Sequence, residues 1–77
     1  MSNKEQKKYI TSDLSLAAFL LMKGLTLISA QKTDGKFEFV FDDPESKADV
    51  LSLQFIGSEF AQYDGYIRTL RGMLNRN

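Results

Sequence analysis

The chain has 77 residues, no net formal charge, 43% apolar and 26% charged side chains, a composition for one small globular domain and not for a disordered, collagen-like or low-complexity segment. It contains no His, Cys or Trp, which excludes a Ser-His-Asp triad, a thiol nucleophile, a disulfide framework and a Cys/His zinc site. Folding a chain of this size hides roughly 60% of its surface, so the core is thin.

Charge is unevenly placed along the chain. Residues 1–37 and 60–77 are net basic, whereas residues 38–59 are net acidic. Opposite-sign surfaces on one neutral molecule favour simple solvation or self-association over a polyanion site. The longest apolar stretch, Leu14 to Met22, falls far short of the ~20 residues that span a bilayer. It sits behind a capping signal and ends in Lys23-Gly24 without a small-residue cleavage site, which argues against a signal peptide. Together with the lack of Cys, this predicts a cytoplasmic protein.

Residues 1–8, with Lys4, Lys7 and Lys8 near Glu5, have nothing to bury and are expected to form a flexible basic tail, followed by a single domain over 9–77. Thr11-Ser12-Asp13 offers N-cap side chains before Leu14, so a first helix is predicted over about 13–23. Leu14, Ala17, Ala18 and Leu21 fall on one face, but Leu16, Phe19 and Leu20 make the opposite side apolar too, and such a helix requires cover on more than one side. Gly24 is placed to close it in the left-handed conformation. The segments 25–32 and 36–42 are rich in β-branched and aromatic residues and flank Asp34-Gly35, the signature of a hairpin with a type I′ turn. In the simplest register Ala30 faces Phe39 and Ile28 faces Phe41. Phe37, Phe39 and Phe41 then make the floor for the helices, while Leu25, Leu27 and Val40 lie on a mixed opposite face.

Asp43-Pro44-Glu45 predicts a second helix with Asp43 as cap and Pro44 at its first position, running to about Ile56 and stopping at Gly57. Ala48, Leu51 and Phe55 form its inner stripe. Residues 58–63 are expected to be a loop, and Asp64-Gly65 to open a last helix with Tyr66, Ile67, Leu70 and Leu74 on one face. The predicted fold is a small α+β domain of order α-β-β-α-α, an antiparallel hairpin packed against helices.

The run from Tyr9 to Leu14 leading into Ala17-Ala18-Phe19-Leu20 and Lys23-Gly24, the Phe39-Val40-Phe41-Asp42 strand and the Ile67-Arg68-Thr69-Leu70-Arg71 helix resemble a family of very small phage and prokaryotic proteins catalogued only as a domain of unknown function. The resemblance covers most of the chain after residue 8 and implies an intracellular, phage or prophage origin. It implies no activity, cofactor or functional residue.

Asp42, Asp43, Glu45 and Asp49 form the densest carboxylate group, but their spacing is not that of an EF-hand loop and helix capping accounts for Asp43 and Glu45. No metal, cofactor or catalytic residue is therefore assigned, and no enzyme is expected. Arg68, Arg71 and Arg76, with Lys4, Lys7 and Lys8 as further members, are the candidate nucleic-acid contacts. The Phe37, Phe39, Phe41 stripe suits core packing better than base stacking.

A lone hairpin has two open edges, and the first helix is apolar on too many sides for a monomer. Association of two chains answers both problems, through a four-stranded sheet formed edge to edge and a contact built from Leu16, Phe19, Leu20, Leu25, Leu27 and Val40. The competing arrangement has the later helices wrapping the hairpin completely. The expected function is a non-enzymatic, homodimeric interaction module; the alternative is a small nucleic-acid-binding regulator using the basic last helix.

Overall fold

The structure is a computed structural model and describes residues 7–75. The elements are β1 (Lys8–Thr11), α1 (Leu14–Met22), β2 (Thr26–Thr33), β3 (Lys36–Asp42), α2 (Ala48–Ile56) and α3 (Glu59–Leu74). The three strands form one antiparallel sheet in the order β1-β3-β2. The expected α+β fold, hairpin against helices, is present, with one strand more at its start. β1 and β2 run parallel with β3 inserted between them, so β1-α1-β2 is a split β-α-β unit.

β1 is not predicted by the sequence pattern, because four residues are too short to show a period and their partner lies thirty residues away. Tyr9 pairs with Phe41 and Ile10 with Val40. Lys7 and Lys8, grouped above with the basic tail, are held here. The Lys7 carbonyl accepts from the Asp43 N–H at 2.9 Å, and Lys8 pairs with Asp42. The first six residues of that tail lie outside the described residues.

The hairpin turns at Asp34 and Gly35 with φ of 52° and 81°, both positive as a type I′ turn requires. Ala30 pairs with Phe39 as expected. Ile28 does not face Phe41: a bulge between Leu27 and Ser29 shifts the register, and Leu27 takes that place. One extra residue moves every side chain beyond it to the other face, so Leu27 belongs to the helix side of the sheet and not with Val40.

α1 is capped as its sequence predicts. Asp13 Oδ1 accepts from the Leu16 N–H at 3.1 Å. At the far end Gly24 has φ of 98°, and the N–H groups of Gly24 and Leu25 donate to the carbonyls of Leu21 and Leu20, a complete Schellman motif. The core is Leu16, Ala17, Phe19 and Leu20 of α1, Phe41 of β3, and Ala48 and Phe55 of α2, with Tyr9, Leu25, Phe39, Leu51 and Ala61 packed against it. The Phe19 and Phe55 rings meet at 5.3 Å between centroids, a favourable tilted contact.

α2 starts at Ala48, later than predicted. Ser46 takes a left-handed φ of 56°, so residues 43–46 form a turn closed by the Ser46 N–H on the Asp43 carbonyl at 3.0 Å. Asp43 still caps the helix, but from outside it: Oδ1 accepts from Lys47 N–H at 2.8 Å and Oδ2 from Ala48 N–H at 3.0 Å. Residues 59–63 are helix and not loop. Ser58 is the N-cap of α3, accepting from Ala61 N–H at 3.3 Å while its hydroxyl donates to the Phe55 carbonyl at 2.7 Å. Gly57 and Ser58 alone join α2 to α3, and Asp64-Gly65 lies inside α3.

Candidate interaction surface

Three of the residues expected in a dimer contact, Leu16, Phe19 and Leu20, are taken up by the core of the chain itself. The bulkiest side chains of α1 fill the space under the helices: Leu16, Phe19 and Leu20 are buried. Their burial removes more apolar surface from water than the smaller face opposite could. Leu14, Ala18, Leu21 and Met22 are exposed instead. Of the other residues proposed for that contact, Leu25 closes the Schellman motif against the core, Leu27 lies on the helix side of β2, and Val40 is half-buried on the open sheet face beside Ile10. The six residues do not form one surface.

Nor do the later helices wrap the hairpin. α3 packs on α1 and α2 and buries none of its own residues. Its path follows from three contacts: the Phe60 ring on Phe19 at 5.8 Å, Asp64 accepting from the Ser15 hydroxyl, and Arg68 beside Asp13 at 3.9 Å. These partners descend along α1, so α3 runs antiparallel to it and reaches its N-cap at Arg68. Every residue from Arg68 to Asn75 is exposed.

The free side of α3 is apolar. Tyr63, Tyr66, Leu70, Met73 and Leu74 are 70%, 70%, 55%, 58% and 83% exposed. Tyr63, Tyr66, Leu70 and Met73 follow one another at spacings of three, four and three, the seam by which one helix packs along another. Between this stripe and α1 runs a groove of about 200 Å³ lined by Ala18, Met22, Phe60, Tyr63 and Ile67, among others. The exposed face of α1 and the stripe of α3 are therefore continuous. The sequence places Tyr66, Ile67, Leu70 and Leu74 on one face of the last helix, but Phe60 and Tyr63 fall in the segment expected to be a loop and so are not joined to that face. The signal was the unbroken spacing from Phe60 through Tyr63, Ile67 and Leu70 to Leu74.

Of the candidate nucleic-acid residues, Arg68 and Arg71 lie one turn apart on α3. Arg68 is engaged by Asp64 at 3.0 Å and by Asp13; Arg71 is exposed; Arg76 lies outside the described residues, as does Lys4. Lys7 donates to Ser46 Oγ at 3.0 Å, at the opposite end of β1 from Asp13 and Arg68. In the acidic segment, Asp42, Asp43 and Glu45 line a second, polar groove of about 240 Å³ with Lys23 and Lys47. Asp43 is committed to backbone N–H groups and Glu45 pairs with Lys47 at 3.1 Å. Among the described residues no group of three acidic side chains is placed to hold a metal ion, and no helix is long and apolar enough to cross a membrane.

The profile of one family matches residues 6–76, nearly the whole chain, under the description "Domain of unknown function (DUF5659)". The chain belongs to that family. No curated protein and no solved structure matches it significantly. The DUF5659 match spans every element described above, from β1 to the end of α3.

Proposed function

We propose that this DUF5659 chain is a non-enzymatic interaction module that works as a homodimer, with α3 as the element that meets the partner. The observation that carries the reading is the stripe from Tyr63 to Leu74, apolar, regularly spaced and more than half exposed throughout. Monomeric proteins rarely leave such contiguous apolar surface in water. The non-enzymatic part is supported by a chain without His or Cys and by a polar groove in which Asp43 caps a helix and Glu45 pairs with Lys47. The resemblance to small phage and prokaryotic proteins supports a cytoplasmic setting, including that of a phage-infected cell.

Light scattering over a range of protein and salt concentrations tests this. A mass twice the 8.7 kDa of the chain, little changed by salt, is expected of association through apolar surface. A stable monomer at concentrations on the order of 100 μM sinks the dimer, since an interface of this kind holds at micromolar or better. A nucleic-acid-binding helix would instead bind an oligonucleotide with an affinity that falls steeply as salt rises.

A further inference from the structure

We infer that the two chains join by laying their α3 helices antiparallel, so that the uncovered end of each α3 closes the α1–α3 groove of the other. This rests on the dimeric reading above and specifies the occupant of the stripe as a second copy of the same stripe.

The two halves of α3 differ. The first half is seated on α1 and α2 and borders the groove lined by Met22, Phe60, Tyr63 and Ile67. The second half passes the N-cap of α1 and covers nothing, with Leu70, Met73 and Leu74 in water. An antiparallel pair centred near Ile67 and Arg68 puts each free half beside a seated half. Tyr63 then lies opposite the partner's Met73, Tyr66 opposite the partner's Leu70, and Phe60 with its groove opposite the partner's Leu74. A parallel pair sets free half on free half and leaves both grooves open.

Charge and area agree with this choice. Glu59 and Asp64 make the first half acidic and Arg71 makes the last turn basic, so antiparallel packing brings unlike signs and opposed helix dipoles together, and parallel packing brings like to like. The exposed portions of the five stripe residues amount to on the order of 700 Å² per chain, close to the roughly 800 Å² each partner gives to a stable interface. Pairing through the β2 edge is disfavoured by that strand itself, which carries a bulge at Ile28 and a lysine at Lys32, both devices that discourage strand addition.

Because the chain has no Cys, single cysteines report the geometry directly. Tyr63→Cys and Met73→Cys are prepared separately, mixed, and oxidised at a concentration where light scattering shows the dimer. Both side chains are more than half exposed, so neither change removes support from the core, and unchanged helical circular dichroism confirms it. The expected product is the mixed 63–73 disulfide, with little 73–73. A dominant 73–73 disulfide overturns the antiparallel arrangement while leaving the dimeric reading intact. A monomeric mass overturns both. Leu70→Asp should weaken association at least 100-fold without altering the monomer's fold, and a dimer that tolerates it removes α3 from the interface.

Discussion

Asp43 shows how one buried side chain can join two elements. The residue is only 7% exposed; its carboxylate accepts from two backbone N–H groups at the start of α2, while its own N–H donates to the Lys7 carbonyl just before β1. Replacing it by Ala leaves the Lys47 and Ala48 N–H groups without their acceptors, and about 1–3 kcal/mol of stability should be lost in urea unfolding. Glycine offers a sharper comparison. A Cβ at Gly24 or at Gly72 would meet no atom within 4 Å, so space does not distinguish them; backbone conformation does. Gly24→Ala forces a side chain into the left-handed region at φ of 98° and should destabilise by about 1–2 kcal/mol. Gly72→Ala, inside α3, should stabilise by up to about 1 kcal/mol. Thermal unfolding of the two variants should shift in opposite directions.

Among the elements, α3 stands apart because its last two turns are exposed, without tertiary cover among the described residues. Short helices without packing are marginal in water, so amide hydrogens of residues 69–75 should exchange quickly in dilute protein and slow as concentration drives association. Protection that does not depend on concentration would remove the link between this segment and a partner. α1 is the opposite case. Its caps and its Schellman closure were legible in Asp13, Lys23 and Gly24, since each acts within a few residues of itself. Which of its two apolar faces turns inward was not legible, because that depends on Phe41 and Phe55 from distant parts of the chain. Phe55→Ala tests this packing. Losing a ring buried against Phe19 should cost about 3–5 kcal/mol, enough to unfold a domain of this size in a thermal melt.

For the whole molecule, one sheet carries helices on a single side and leaves Ile10 and Val40 on the other among polar neighbours. β1 gives the hairpin a third strand and covers one side of β3, which leaves β1 and β2 as the edges of the sheet. Exposed apolar side chains lie on the helices, from Tyr63 to Leu74 on α3 and at Val50, Leu53 and Ile56 on α2. That changes where self-association is sought, from strand edges and the outer side of α1 to a helical stripe, and it predicts that Leu70→Asp and not a β2 edge change separates the chains in light scattering.

By itself the sequence determined what is local: the α+β class, the I′ turn at Asp34-Gly35, the caps of α1, the Ala48-Leu51-Phe55 stripe of α2 and the absence of His and Cys chemistry. These depend on residue types at short fixed spacings. Tertiary structure decided the rest: that Tyr9–Thr11 becomes a strand, that a bulge moves Leu27 across the sheet, that Ser58 and not Asp64 starts the last helix, and that α3 outruns the body it packs on. Each of these turns on contacts between distant residues, where a short pattern fits more than one partner and the packing free energy of the whole domain selects among them.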